Sequence, residues 1–249
     1  MTASFAPSVR LVPAATPAPG LRGHRPAGVT ATLVDRAYEH MLQMLVTVQI
    51  APGERIAIDK VARQLGISQT PIREALSQLE AEKLVYKLPN IGYRASPEMT
   101  RDEVRDLYTL RLLIEPYAAA RAAESMDAAS LEALREIERD MAGVARQDSR
   151  GFARFAEADM RLHRLIAVGS GNRLIAETID RLHAHLQIFR SLSSTNAPTE
   201  VAAEHKPIID ALIARDPAAA EIAVREHLQR SQERMDRALA GIAPTPTSR

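Results

Sequence analysis

Four residues in the second half of the chain have types and spacings that suit metal ligation. Asp159 and His163 are four apart in a segment with helical periodicity, so their side chains share one face. His205 and His227 lie in the last two helical segments, eleven residues before and eleven after Asp216, where the chain turns. In an antiparallel helical pair, positions equidistant from the turn sit at the same height, here roughly 16 Å from it. Both imidazoles can then meet at one level. One carboxylate and three neutral imidazoles inside a helical bundle suit a divalent transition ion, with Zn²⁺ and Ni²⁺ both fitting imidazole-rich ligation. With the ion they carry a single net positive charge, and octahedral ligation leaves two positions open for water or a small carboxylate. A plainer arrangement fits the same spacing: Asp159 bonds His163 locally, and the other histidines are surface or satisfied core residues. Spacing alone leaves both open. His183 and His185, two apart, cannot share a helix face, and neither is assigned to the centre.

A second chemistry lies in Gly66-Ile67-Ser68-Gln69-Thr70-Pro71-Ile72-Arg73-Glu74-Ala75-Leu76. Before it, Asp59 to Leu65 reads as a short helix, with Asp59 as N-cap and Val61, Ala62 and Leu65 as its apolar stripe. Gly66 permits a sharp turn. Ser68 and Thr70 are candidate caps of a second helix, and Pro71 fits only its first turn. That helix is expected to run to about Leu84, burying Ile72, Ala75, Leu76, Leu79 and Leu84. Ser68, Gln69, Thr70 and Arg73 stay outside, as donors for base edges and phosphates of a major groove. A plain helical hairpin would show the same periodicity. The flanks favour the DNA-reading version. Leu84 to Leu88 alternates, Pro89-Asn90-Ile91-Gly92 is turn chemistry, and Tyr93-Arg94-Ala95 returns as a second strand. Asn90, Gly92, Tyr93 and Arg94 then form a wing beside the DNA backbone or minor groove.

The elements that must position these residues follow from composition and breaks. The chain has 249 residues, a quarter of them charged, and a net charge of only +1, so DNA binding must rest on local placement of Arg and Lys. With no cysteine, disulfides and thiolate metal sites are excluded. No apolar run approaches a membrane span, and the start lacks an export signal, so the expected location is the cytoplasm. Residues 1–28 are rich in Ala and Pro, hold no acidic residue, and read as a disordered tail. Thr32 to about Val48 is a helix with Leu33, Ala37, Met41, Leu45 and Val48 on one side, closing a winged helix-turn-helix over 29–96. From 97 to 241 only helical segments follow: about 100–125, 128–147, 150–168, 172–193, 199–214 and 217–240. The expected fold is mainly α: an N-terminal winged helix-turn-helix with a small β-hairpin, then an all-α bundle of six to seven helices. Residues 242–249 read as a second disordered tail.

Two resemblances sharpen this. Ala51-Pro52-Gly53-Glu54-Arg55-Ile56, Val61 to Ser68, Thr70 to Leu76 and Leu79 to Val85 resemble the DNA-binding domain of the GntR family of bacterial transcription regulators. Two departures stand out: the family usually has Arg where this chain has Gln69, and an acidic residue where it has Lys60. Gln pairs with adenine N6/N7 and Arg with guanine O6/N7, so the operator is expected to differ. The helical part resembles the ligand-binding (FCD) domain of the FadR-type branch, through Arg111 to Pro116, Asp159 to His163 with Gly171-Asn172, Glu204-His205 with Ile208 to Leu212, and Glu226-His227-Leu228. That resemblance implies Asp159, His163, His205 and His227 as metal ligands.

The resulting expectation is a non-enzymatic, dimeric transcription regulator, a repressor by family habit. It binds a palindromic double-stranded operator and senses a small carboxylate effector beside the metal. Arg111 is the candidate clamp for that carboxylate, or else the partner of Glu115 in a helix-surface pair; Asn172 lines the pocket or caps a helix. Two rivals remain. The metal itself is the signal, or the site is that of a metal-dependent hydrolase or lyase with Glu115, Glu177 or Glu204 as base.

Overall fold

The computed structural model describes residues 32–143, 149–182, 184–193 and 197–241. Both expected tails, residues 144–147 of the expected 128–147 helix and His183 lie outside the described residues. The described residues all fall in one compact unit.

Helix α1 (Leu33–Val46) starts at a capping box: Thr32 accepts from the Asp35 amide, and Asp35 accepts from the Thr32 amide. Ala37, Met41 and Leu45 are buried as their period predicts. Leu33, in the first turn, is half exposed, and Val48 falls beyond the helix at φ 56°. Helix α2 (Ile58–Leu65) has Ala57 at its N-cap, not Asp59. Asp59 sits in the first turn, where its charge still meets the positive end of the helix dipole. Gly66 closes α2 in the left-handed region at φ 65°. Helix α3 (Gln69–Ala81) follows, with Ser68 at its N-cap position and Pro71 in its first turn.

Helix α3 ends about three residues before the expected Leu84. Glu82 is the C-cap and Lys83 turns left-handed at φ 58°, which frees Leu84 to enter the core from outside the helix. Strands β1 (Val85–Leu88) and β2 (Gly92–Ala95) pair antiparallel, Val85 opposite Ala95 and Leu88 opposite Gly92. The hairpin turns through positive φ at Asn90 and Gly92.

A second capping box, Thr100 with Glu103, starts α4 (Arg101–Ser125). Then come α5 (Ala128–Gly143), α6 (Ser149–Gly169), α7 (Arg173–Leu182), α8 (Ala184–Ser191), α9 (Ala197–Ala214) and α10 (Pro217–Gly241). The single helix expected over 172–193 is thus described as two, on either side of residue 183. Asp216 caps α10 by accepting from the Ala219 amide at 3.0 Å, with Pro217 first in the helix. Helix α10 packs along α4 and α9, and α6 packs against α4, α5, α7 and α8. One apolar core runs from Met41, Leu45 and Leu76 through Phe155 and Leu162 to Ile208, Leu212 and Leu228. Helices α1, α6 and α8 join the winged part to the bundle.

Candidate functional site

Asp159 and His163 on α6, His205 on α9 and His227 on α10 are brought together. Each offers one ligand atom, these atoms lie within 4.8 Å of one another, and all four side chains are buried. The rings of His205 and His227 are 4.6 Å apart, so the two residues equidistant from Asp216 do meet at one height. Asp159 Oδ1 lies 3.2 Å from His205 Nε2 and 4.0 Å from His163 Nε2.

The surroundings decide which nitrogens face the centre. His163 Nδ1 is 2.6 Å from Glu115 Oε2, and His227 Nδ1 is 3.0 Å from Glu204 Oε2. A carboxylate only accepts, so each Nδ1 carries the proton and each Nε2 keeps its lone pair. His163 Nε2 and both ring nitrogens of His205 are buried without a hydrogen-bond partner. Such groups are costly to bury unpaired, and a cation among them takes up His163 Nε2 and one of the two His205 nitrogens. Burial pushes the His163, His205 and His227 imidazoles down, which favours the neutral form that ligates. Burial would raise Asp159, but the His185 hydrogen bond and the neighbouring imidazoles outweigh it and hold the carboxylate ionised. The donor set therefore fits a divalent ion.

Each of those carboxylates is in turn held by an arginine. Arg111 Nε donates to Glu115 Oε1 at 2.5 Å, and Arg234 donates to both oxygens of Glu204 at 2.5 and 2.9 Å. The Arg111–Glu115 pair is buried, not a surface pair. Burial alone would raise Glu115; Arg111 and then His163 overcome it and hold the carboxyl far below its usual range. Arg111 Nη2 also lies 3.5 Å from His163 Nδ1. Beside these cations, Tyr108 bonds Ser231 through the hydroxyls at 2.6 Å, and burial pushes its phenol up to about 12.

The sequence passed over His185, whose Nδ1 donates to Asp159 Oδ2 at 2.8 Å. It offered Glu204 only as a candidate base, not as the partner of His227, and passed over Arg234. The available signals were the Glu204-His205 adjacency and Arg234 standing seven residues, two turns, after His227. Asn172 is exposed and caps α7, accepting from Leu174 at 3.0 Å and Ile175 at 3.3 Å; it does not line the centre.

At the other end, Ser68, Gln69, Thr70 and Arg73 are all exposed along the start of α3. Gln69 Nε2 donates to Asp59 Oδ1 at 2.5 Å, and Arg73 Nη2 donates to Gln69 Oε1 at 3.2 Å, which links α2 to the reading face. On the hairpin, Asn90 and Ile91 are exposed at the tip. Two wing residues are placed otherwise than expected. Tyr93 points into the core, 6 % exposed, because the two-residue alternation puts Tyr93 and Ala95 on the inner face. Arg94 donates to the Gly53 carbonyl at 2.8 Å and so braces the hairpin against the preceding loop.

Residues 33–94 match the family described as bacterial regulatory proteins, gntR family, and residues 106–230 match the FCD domain. The chain is 28% identical over 198 residues to a probable D-xylose utilization operon transcriptional repressor of Paenarthrobacter nicotinovorans, covering 79% of this chain and 86% of that one. It is 26% identical over 229 residues to the HTH-type transcriptional repressor GlaR of Escherichia coli, covering 86% of this chain and all of that one (100%). Among solved structures, E. coli McbR/YncC shares the fold with a TM-score of 0.63 at 20% identity, over 84% of this chain and 100% of that one. The chain belongs to the gntR family of regulators that carry an FCD domain. It is a DNA-binding transcriptional regulator with an effector-binding helical domain. Among the described residues no helix is long and apolar enough to cross a membrane.

Proposed function

We propose that this regulator is a cytoplasmic repressor. As a homodimer it binds a palindromic operator, and it is controlled by a small organic acid held beside a Zn²⁺ or Ni²⁺ ion at Asp159, His163, His205 and His227. The supporting observation is the orientation of His163 and His227: Glu115 and Glu204 turn both Nε2 lone pairs toward Asp159 and His205. The ion supplies a Lewis-acid anchor for a carboxylate. Arg111, paired with Glu115 behind the His163 ring, adds positive charge near the centre. At the DNA, Gln69, Thr70 and Arg73 meet the major groove, and the Asn90 tip lies along the backbone. Two copies related by a two-fold axis present two such faces, which a palindrome matches. The acid acts by preferring one placement of the two DNA-binding parts over another.

The test pairs metal analysis with operator binding. The wild-type chain is expected to hold one ion per chain, and His205→Ala and His227→Ala to lose it. A duplex selected from a random pool should then bind the loaded chain and be released by one member of a panel of small carboxylates. Full metal content in both variants rejects the ligand set. Release by the ion alone, with no acid, makes the metal the signal instead.

Enzymatic turnover is the weaker reading. A general base works best near the ambient pH. Glu115 and Glu204 are both held below their usual range by their arginine and histidine partners, and Glu177 is paired on the surface with Arg173 and Arg181. Accordingly, an acid bound at the centre should be recovered unchanged.

A further inference from the structure

Helix α8 touches both the Asp/His centre and the DNA-reading part. At its start, His185 Nδ1 donates to Asp159 Oδ2, while it is Oδ1 that lies 3.2 Å from His205 and 4.0 Å from His163. The His185 ring also lies 4.4 Å from the ring of His163. At its other end, Arg190 Nη2 donates to the Ser96 carbonyl at 2.5 Å. Between them, Gln187 Nε2 reaches the Lys83 carbonyl at 3.4 Å. His185 and Arg190 are both buried. At about 100° per residue they project from the helix roughly 140° apart, so one side of α8 serves the bundle and the other the winged part.

The two carbonyls that α8 holds are close neighbours. Lys83 is the left-handed residue that ends α3, the helix carrying Gln69, Thr70 and Arg73. Ser96 follows β2 directly, its amide donates to the Leu84 carbonyl at 2.9 Å, and its hydroxyl donates to the Lys83 carbonyl at 2.6 Å. The end of the reading helix, the end of the wing and the start of the connection to α4 are thus one hydrogen-bonded knot.

We propose that α8 couples the centre to the reading head, with His185 and Arg190 as its positioning residues. The coupling rests on the metal reading above. Asp159 has two oxygens with different duties: Oδ1 faces the ligand cluster and Oδ2 holds His185. A cation that fixes Oδ1 fixes the direction of Oδ2, and through His185 the placement of α8. Arg190 passes that placement to the Ser96 carbonyl, whose loss of a buried partner is unfavourable. Helix α8 is therefore an element whose position both sites can bias.

The experiment is hydrogen–deuterium exchange on the full chain, with Zn²⁺ and after chelation, for the wild type and Arg190→Met. Metal content per chain is measured on the same samples. Zn²⁺ is expected to slow exchange of the amides in 83–97 severalfold in the wild type. Arg190→Met is expected to bind the same amount of Zn²⁺ and show no such slowing, while Arg190→Lys, which keeps a donor, restores part of it. A purely structural arginine would lower the melting temperature without removing the Zn²⁺-dependent difference. If Zn²⁺ binds but 83–97 exchanges equally with and without it, or if Arg190→Met keeps the wild-type response, the coupling is overturned and the metal reading stands. If the wild type binds no Zn²⁺ and no other divalent transition ion, both fall together. Should Arg190→Met fail to fold, Arg190→Gln and Arg190→Lys carry the same comparison.

Discussion

Glu115 Oε2 sits 2.6 Å from His163 Nδ1, and the same relationship recurs between Glu204 and His227 on two other helices. Each carboxylate is shared with an arginine, so two His–Glu–Arg chains reach the centre from different sides. The prediction concerns separating their two effects. Glu115→Gln removes the charge that fixes the His163 tautomer and also leaves Arg111 as a buried, uncompensated cation. Metal affinity should fall about 10–100-fold, and stability should drop by about 3–5 kcal/mol. In the double variant Arg111→Met with Glu115→Gln, stability should largely return while the affinity deficit persists. Chelator competition and thermal melts report the two separately. Recovery of both together would make the pair a packing device only.

The reading face yields a test at the DNA. Arg73 is exposed and donates to Gln69 at 3.2 Å on the same exposed face, so truncating it leaves the core intact. Arg73→Ala should weaken operator binding by about 1–3 kcal/mol if it reads a base. Gln69→Arg should shift the preferred base at its position from adenine to guanine, because the bidentate partners differ. Selection from a random duplex pool with each variant gives the answer. An unchanged selected sequence for Gln69→Arg would assign Gln69 to bracing Arg73 and Asp59, not to reading.

Gly66 is a stability test of the turn itself. Its φ of 65° is left-handed, and an added Cβ would meet no atom within 4 Å, so only the backbone penalty is at stake. Gly66→Ala should cost about 1–2 kcal/mol. The melting temperature should fall accordingly, with Gly66→Asn falling less because Asn tolerates this region better.

The breaks at Gly66 and Asp216-Pro217 were legible in the sequence because local chemistry fixes them. The common height of His205 and His227 was legible because symmetry about a short turn fixes it, but not that both rings face one centre, 4.6 Å apart. The phase of a four-residue strand was not, so Tyr93 was placed outward when its pleat turns it in. Nor was the end of α3, where Glu82 and Lys83 are acceptable in a helix and tertiary packing of Leu84 decides. His185 was passed over because two histidines two apart cannot share a helix face, and nothing local says which of them faces Asp159. Glu204 and Arg234 were visible as spacings, but nothing local says that a carboxylate beside a histidine serves a different histidine.

The last prediction concerns pH and the base of the reading helix. Glu82, the C-cap of α3, is buried and accepts from the Tyr38 hydroxyl at 2.9 and 3.0 Å. Burial raises its carboxyl from 4.5 to about 7; the Tyr38 bond opposes this and Glu157 adds to it. A raised acid pKa means that the folded state binds the proton more tightly than the unfolded chain. Stability is therefore highest below pH 4.5 as far as this group is concerned, and declines as pH rises from 4.5 to about 7. The decline amounts to at most ~3 kcal/mol at 1.36 kcal/mol per pKa unit. Glu82→Gln keeps an acceptor for Tyr38 and removes the titration. Its melting temperature should exceed that of the wild type at pH 8, and the gap should narrow steadily toward pH 5. A gap that stays constant across that range would show that Glu82 remains ionised in the fold, stabilised by more than the Tyr38 hydroxyl.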